Sequence, residues 1–237
     1  MNSKGKLYLI PTTLGDNEPL DVLPALVKKV IEDTSTFIVE NEKTARRFIK
    51  RICPEKSQPS LQLFPLNKFT EASELPDFLN PCLHGINIGL LSEAGCPGVA
   101  DPGADVVKIA HEKNIKVVPL VGPSSILMAI MSSGMNGQRF AFNGYLPIDK
   151  GKRKAEIKRL ERLSFEQNQS QIFIETPYRN NKMIEDLSSV LENNTDVCVA
   201  CDITLSTEFI KTQTANAWKK NKVDLHKRPT IFIIHKS

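Results

Sequence analysis

Short apolar runs alternate with amphipathic segments through the first half of the chain. Continuous apolar runs predict buried strands, and apolar residues that recur every three or four positions predict helices. Strands that are apolar throughout are typical of sheets covered on both faces, and strict alternation with helices favours parallel pairing. The predicted strands lie in KLYLIP, STFIVE, INIGLL and IKVVPL, and the predicted helices in PLDVLPALVKKVI, EKTARRFIKRI and ADVVKIAHEK. Pro24 indicates a start or a kink within the first of these helices.

In the second half, predicted strands outnumber predicted helices, which favours a mixed α/β domain. Two of the strands, VCVACDIT and EFIKTQT, are placed to pair as an antiparallel ribbon. The change in pattern falls between Pro119 and Pro123. The sequence therefore predicts two α/β domains, residues 1–120 with a mainly parallel sheet and residues 121–237 with a mixed sheet.

The composition is that of a globular and mildly basic protein. The 237 residues are 41% hydrophobic, and the net charge of +4 is compatible with an acidic partner such as RNA without requiring one. We find no signal peptide and no run of about twenty apolar residues, so we expect no membrane span. Five cysteines without framework spacing favour a reducing cytoplasmic location.

A stretch that is poor in side chains, LLSEAGCPGVADPG (Leu90–Gly103), leaves the predicted strand INIGLL. Its glycines let a ligand approach the backbone, and its prolines restrict the path of the loop. Ligands of open α/β sheets bind beyond the carboxyl ends of the strands. Because the loop matches neither a P-loop nor the dinucleotide fingerprint, it predicts a ligand held mainly by backbone amides and carbonyls. Asp101 followed by Pro102 also suits the N-cap of the next helix.

Three further polar turns follow apolar strands. Clefts at domain junctions are common binding sites, and the first of these turns lies at the predicted junction. The second turn has a purely structural alternative to a binding role, namely a helix start with Thr176 as cap and Pro177 at the first helical position. The three turns are VGPSS (Val121–Ser125), IETPYRN (Ile174–Asn180) and CDITLSTEFIK (Cys201–Lys211).

Metal chemistry is not predicted, because Cys198 and Cys201 would point to opposite faces of a strand and the four histidines are scattered. Two basic clusters allow either a solvated helix face or contact with phosphates, and phosphate contact would weaken steeply with salt. The clusters are Lys43, Arg46, Arg47, Lys50 and Arg51, and then Lys150, Lys152, Arg153, Lys154, Lys158, Arg159 and Arg162.

Taken in order, these stretches resemble the motifs of the tetrapyrrole methylase superfamily. The resemblance is strongest to its branch of small-subunit ribosomal RNA cytidine 2'-O-methyltransferases, and it runs from Leu7 to about Lys211. That branch shows Ser-Asp-Ala-Gly-Thr-Pro with Asp-Pro-Gly, Pro-x-Pro-Gly-Pro-Ser, Gly-Phe-Leu-Pro and Glu-Ser-Pro-His-Arg. The matching residues here are Ser92–Pro97 with Asp101–Gly103, Val118–Ser124, Gly144–Pro147 and Glu175–Arg179.

The resemblance implies S-adenosylmethionine as cofactor, bound in a cleft between two α/β domains, usually in a homodimer. It also implies structured RNA of the small ribosomal subunit as partner. The implied cofactor-binding residues are Pro11, Ala94, Gly95, Cys96, Val99, Ser124, Ser125, Tyr178, Ile203 and Thr204.

Methyl transfer to a ribose hydroxyl needs help at a poor nucleophile, from a base or a cation close to it. The candidates for this role are Glu40, Arg46, Glu175 and Lys211. The branch has Glu-Asp-Thr-Arg where this chain has Glu40–Lys43. Two alternatives therefore stay open, methylation of a small molecule such as a tetrapyrrole and a cofactor-binding RNA module without turnover.

Overall fold

A computed structural model of the chain describes residues 3–237. The chain divides into two compact units, the first ending at Ser124 and the second beginning at Ser125. Each unit is built on a five-stranded sheet. Two α/β domains are thus confirmed.

The first unit is an open parallel sheet in the order β3-β2-β4-β1-β5. The predicted parallel sheet is confirmed. Its elements are β1 (Lys6–Ile10), α1 (Pro19–Val22), α2 (Ala25–Asp33), β2 (Thr36–Val39), α3 (Glu42–Ile52), β3 (Gln62–Pro65), α4 (Leu75–Phe78), α5 (Asn80–Leu83), β4 (Ile88–Leu91), α6 (Ala104–Glu112) and β5 (Lys116–Pro119).

Helices cover both faces of this sheet, which explains why its strands are apolar throughout. Neighbouring strand residues point to opposite faces, so Phe37 packs with α2 and α3 whereas Ile38 packs with α4 and α6. Both side chains are fully buried. Burying an aromatic or aliphatic side chain of this size contributes about 1.5–3 kcal/mol to folding.

The segment PLDVLPALVKKVI forms two helices instead of one. Pro24 has an extended backbone and occupies the N-cap of α2, so the chain bends between Val22 and Ala25. Proline has no amide hydrogen and cannot continue the preceding helix, which is why the break falls here.

The second unit is a mixed sheet in the order β6-β7-β10-β8-β9, in which only β6 and β7 are parallel. The predicted mixed sheet and the antiparallel ribbon of β8 and β9 are both confirmed. The elements are α7 (Ser125–Ser133), β6 (Phe140–Tyr145), α8 (Lys150–Gln167), β7 (Ser170–Ile174), a 3-10 turn (Pro177–Arg179), α9 (Asn180–Val190), β8 (Asp196–Cys201), β9 (Phe209–Thr214), α10 (Ala215–Lys220) and β10 (Thr230–His235).

The core of the second unit lies between one face of its sheet and helices α8, α9 and α10. Phe173 and Phe232 stack at its centre with ring centroids 6.0 Å apart. Trp218 closes the core and donates its indole N–H to the carbonyl of Val197 at 3.0 Å. Cys201 packs into the same core, and Cys198, an odd number of positions away, faces the other side of the strand.

Candidate functional site

Three loops meet at the carboxyl edge of the first sheet, where β1, β4 and β5 end. The amide of Thr12, after β1, donates to the carbonyl of Gly95 at 3.0 Å. The hydroxyls of Thr12 and Ser92 are 3.2 Å apart, and Ser92 also donates to the Gly95 carbonyl. The Cys96 thiol donates to the carbonyl of Pro123, after β5, at 3.4 Å. These bonds hold the loop Ser92–Gly103 between its two neighbours.

Gly95 is at the centre of this arrangement and has a backbone that other residues rarely adopt. Its φ is +77°, and an added Cβ would lie 3.0 Å from Leu14 Cδ2 and 3.2 Å from the Pro123 carbonyl oxygen. A side chain here would strain the backbone and push the loops apart. Glycine therefore keeps the three loops in contact.

The edge formed by β1 and β4 is a topological switch point. The loop after β1 leads to α1 and α2, while the loop after β4 leads to α6 on the opposite face of the sheet. Where neighbouring connections leave on opposite faces, a crevice opens beyond the strand ends, and open α/β sheets bind ligands in such crevices.

A cavity of about 610 Å³ occupies this crevice within the first unit. A volume of this size is ordinary for a binding site of a small molecule or a nucleotide. Its walls come from the loop after β1, from helix α3 and from the start of the loop after β4. The lining residues are Thr12, Thr13, Leu14, Gly15, Asp16, Pro19, Thr44, Ala45, Arg47, Phe48, Arg51, Leu91, Ser92, Glu93 and Ala94.

Helix α3 carries three arginines, and their side chains differ in the partners that they contact. Arg46 donates to the Gln58 carbonyl at 2.7 Å and lies 3.8 Å from Glu42. Arg51 is paired with Asp16 and lies 3.6 Å from Glu18. Arg47 lines the cavity and is exposed, and its side chain has neither a hydrogen bond nor an ion pair with any residue from 3 to 237.

The helix keeps its position because Asn41 caps its first turn. The Asn41 carboxamide oxygen accepts from the amides of Lys43 and Thr44 at 2.9 and 3.3 Å. Thr44 in turn donates its hydroxyl to Glu93 at 2.7 Å, which ties the start of α3 to the loop after β4.

Three carboxyl groups lie close enough at the ends of β2 and β4 to influence one another. Burial raises the pKa of Asp101 to about 6, and the charges of Glu40 and Glu93 add to this rise. The pKa of Glu40 is also raised, first by partial burial of its carboxyl group and then by Glu93. Asp101 Oδ2 is buried without a hydrogen-bond partner in the part of the chain that the structure describes.

The expected N-cap role of Asp101 is wrong. Helix α6 begins at Ala104, and its N-cap is Gly103 with a φ of +131°. An added Cβ on Gly103 would lie 2.7 Å from Leu90 Cδ2, and a φ of +131° strains any residue with a side chain, so this turn favours glycine. Asp101 therefore stands before the helix, with its carboxyl group beside the ends of β2 and β4.

The residues predicted for the first unit gather around these loops. Pro11 is buried after β1, and the Gly122 backbone packs so closely on its ring that an added Cβ on Gly122 would lie 2.3 Å from the ring. Ala94 and Val99 are exposed on the loop Ser92–Gly103, and Cys96 on the same loop is half-buried. Burial raises the pKa of the Cys96 thiol, so it stays protonated.

Ser124 closes the first unit, and Ser125 opens α7 as its first residue. Both side chains are half-buried. The hydroxyls therefore lie at a helix start, as the sequence predicted, directly after the loop that receives the Cys96 hydrogen bond.

The residues predicted in the second unit lie in two stretches, one after β7 and one after β8. Glu175 is buried and accepts from Arg179 at 2.5 Å and from the Thr176 amide at 2.6 Å. Pro177 begins the 3-10 turn as expected, but the Thr176 side chain does not cap it, so that detail of the prediction is wrong. Tyr178 is 70% exposed and meets the His226 ring edge-on at 5.9 Å.

Ile203, Thr204 and Lys211 follow β8. Ile203 is buried, and Thr204 adopts a φ of +75° while its amide donates to Glu208 at 2.8 Å. Lys211 lies in β9 and is exposed. A threonine with a positive φ is rare, and such conformations cluster at binding and active sites.

Sequence reasoning placed Arg47 in a basic cluster without distinguishing it from Arg46, and it missed Thr12 and the role of Asp101 at the carboxyl edge of the sheet. Ser92 and Glu93 were quoted only as part of a motif. Within residues 3–237, no group of three or more His, Cys, Asp and Glu side chains is arranged to hold a metal ion. In the same residues, no helix combines the length and the apolar surface needed to cross a membrane.

Comparison with solved structures shows the same fold in known methyltransferases. The methyltransferase CobJ superposes with a TM-score of 0.64 at 14% identity, over 98% of this chain and 95% of that protein. Uroporphyrin-III C-methyltransferase from Thermus thermophilus, complexed with S-adenyl homocysteine, gives a TM-score of 0.56 at 13% identity, over 98% of each chain.

Curated relatives are more similar in sequence. A protein of Buchnera aphidicola subsp. Schizaphis graminum, named ribosomal RNA small subunit methyltransferase I, is 28% identical over 99% of this chain and 79% of its own length. The protein of the same name from Bacillus subtilis is 30% identical over 87% of this chain and 67% of its own length.

The family model of the tetrapyrrole (corrin/porphyrin) methylases matches residues 6–217, which includes the whole first sheet and every strand of the second sheet except β10. The match covers most of the chain and contains all the loops that meet at the carboxyl edge of the first sheet. This chain belongs to the family of tetrapyrrole (corrin/porphyrin) methylases.

Proposed function

We propose that this chain is an S-adenosylmethionine-dependent methyltransferase that methylates a ribose 2'-hydroxyl of small-subunit ribosomal RNA. One observation carries the proposal. The relatives that align over nearly the whole chain are named ribosomal RNA small subunit methyltransferase I. The bonded loops after β1, β4 and β5 support a binding site at the carboxyl edge of the first sheet.

The chemistry of these loops fits a cationic cofactor. Glu40, Glu93 and Asp101 give this edge of the sheet a negative potential, and one oxygen of Asp101 is buried without a partner. Ala94, Cys96 and Val99 offer backbone groups on a loop with little side-chain bulk. When bound, S-adenosylmethionine supplies a methyl group activated by a positively charged sulfur.

The acceptor side of the proposal rests on the cavity beside α3. Arg47 is the cation of this cavity that no described residue neutralises, and a phosphate of the acceptor RNA would satisfy it. Phe48 adds an aromatic surface to the same wall. We place the acceptor nucleotide here, next to the loop proposed to hold the cofactor.

Proton removal from the hydroxyl is assigned to Asp101 or Glu40. A general base works best when its pKa is near the working pH, and burial brings the pKa of Asp101 to about 6. Arg46 is held by Gln58 and Glu42, which suits a structural role better than contact with substrate. Glu175 and Lys211, and the cofactor contacts in the second unit, stay predictions.

We also propose a cytoplasmic homodimer. Several large apolar side chains of the second unit are exposed, among them Met131 at 81% and Ile148 at 71%, and a second copy would cover them. All five cysteines are free, as a reducing compartment requires. Sedimentation analysis would reveal the oligomeric state.

The decisive experiment combines cofactor binding with methyl transfer. Calorimetric titration should show one S-adenosylmethionine site per chain, and labelled methyl should then appear on small ribosomal subunits that lack their native methylations. Large subunits serve as the control. Label on a tetrapyrrole with none on RNA would favour the small-molecule alternative, and cofactor binding without any transfer would favour the non-catalytic one.

A further inference from the structure

The basic helix α8 does not present one uniform charged face. Arg153 is buried, donates to Asp186 at 2.8 and 2.6 Å, and donates to the Ile148 carbonyl at 2.7 Å. Arg159 is bonded to Glu156 at 2.8 and 2.6 Å. The charges of two of the seven basic residues are therefore paired with carboxylates of this unit. The role of the other five is a separate question.

Two adjoining hollows of about 500 and 410 Å³ lie between α8 and the end of α9. Lys158 and Val190 line both of them, so the two hollows form one continuous groove. Lys154 stands at one end of this groove, and Arg162 and Phe165 at the other. We call this surface the α8 groove.

The α8 groove carries unneutralised positive charge. Four basic side chains line it against two carboxylates, and one of those carboxylates, Glu192, is paired with Lys236 at 2.9 Å. Lys154 and Lys158 have no ion pair with any residue that the structure describes. Arg162 has only a loose contact of 3.7 Å with Glu166.

These three cations lie on one side of the helix. Lys154, Lys158 and Arg162 are spaced by four residues, so each lies about 6 Å further along the helix axis than the last. Phe165 follows within one turn, and 63% of its surface is exposed. Proteins that bind single-stranded nucleic acid combine a positively charged groove for the phosphates with exposed aromatic rings on which bases stack, and this surface has both features.

We infer that the α8 groove binds an unpaired RNA segment, with Lys154, Lys158 and Arg162 contacting phosphates and Phe165 stacking on a base. The inference rests on the proposed function for RNA as the partner class. It adds a contact surface in the second unit, on residues other than those around the proposed acceptor cavity. An acidic protein or an anionic membrane would be attracted by the same charges, so both serve as competitors in the test.

Binding of a fluorescein-labelled 12-nucleotide oligocytidine, measured by anisotropy over a range of salt concentrations, tests the inference. In Lys158→Gln/Arg162→Gln the slope of log affinity against log salt should fall by about 1.4, since each phosphate contact on a single strand contributes about 0.7. Phe165→Ala should weaken binding about tenfold without changing the slope, and Phe165→Tyr should restore it. Lys152→Gln, on the same helix but outside the groove, should change neither quantity.

The inference is overturned if both groove variants bind like wild type, or if Lys152→Gln weakens binding as much as they do. It is also overturned if polyglutamate or anionic lipid vesicles compete for the groove as well as unlabelled oligocytidine does. Methyl transfer separates it from the proposed function. With methylation of small subunits intact in wild type, the groove variants should raise KM for subunits and leave kcat and cofactor affinity unchanged.

Discussion

Asp101 offers a sharp test, because its carboxyl group is held in a place that disfavours its charge. One oxygen is buried without a partner, and Glu40 and Glu93 add like charge. Asp101→Asn keeps the shape of the side chain and removes the charge. We expect this variant to be more stable than wild type at neutral pH.

The magnitude follows from the pKa. A rise from 3.8 to about 6 corresponds to about 3 kcal/mol at about 1.4 kcal/mol per unit. Asp101 is only partly buried, and screening by solvent reduces the effect to about 1–2 kcal/mol. Between about pH 4 and pH 6 the folded chain keeps a proton that the unfolded chain has released. The contribution of Asp101 to the free energy of unfolding therefore falls as the pH rises through this window.

Urea denaturation of wild type and Asp101→Asn at pH 4 and pH 7.5 measures the difference directly. The variant should gain about 1–2 kcal/mol at pH 7.5 and differ by less than about 0.5 kcal/mol at pH 4. Asp33→Asn, which removes an exposed carboxylate at the end of α2, should show no such pH dependence. A variant that is less stable than wild type at pH 7.5 would mean that the carboxylate has a favourable partner, and the reasoning would fail.

Three further predictions concern activity. Gly95→Ala should weaken S-adenosylmethionine binding at least tenfold in calorimetry, because a positive φ costs other residues about 1–2 kcal/mol and the new Cβ would crowd the Pro123 carbonyl. Arg47→Gln should raise KM for small subunits with kcat unchanged, whereas equal effects from Arg46→Gln would contradict the assignment of the free cation. The methyl-transfer rate should rise as the pH passes through about 6, where Asp101 loses its proton, and Asp101→Asn should abolish that inflection.

The architecture was predictable because its signals extend over whole elements. The strands of the first sheet are apolar on both faces, as Phe37 and Ile38 illustrate, and that pattern is typical of a covered parallel sheet. The ribbon of β8 and β9 was also predicted, because the extended stretch EFIKTQT follows the strand VCVACDIT along the chain. Patterns of this kind depend on many residues, so one misjudged position does not alter them.

Details of the site depend on single contacts that a sequence does not contain. Arg46 and Arg47 differ by one position on α3, and it is mainly the hydrogen bond from Arg46 to the Gln58 carbonyl that distinguishes the engaged side chain from the free one. The cap of α6 moved from Asp101 to Gly103 because the turn passes close to Leu90. Gln58 is distant in sequence from Arg46, and Leu90 is distant in sequence from Gly103, so neither contact can be read from local sequence.

The free thiol of Cys96 allows the loop Ser92–Gly103 to be labelled covalently. The other four cysteines are buried, so a maleimide or iodoacetamide dye will attach at this one position without any engineered mutation. The raised pKa keeps the reaction slow at neutral pH and allows its rate to be followed by mass spectrometry. A ligand that binds against this loop would slow the labelling of Cys96, so the labelling rate can be used to screen for inhibitors.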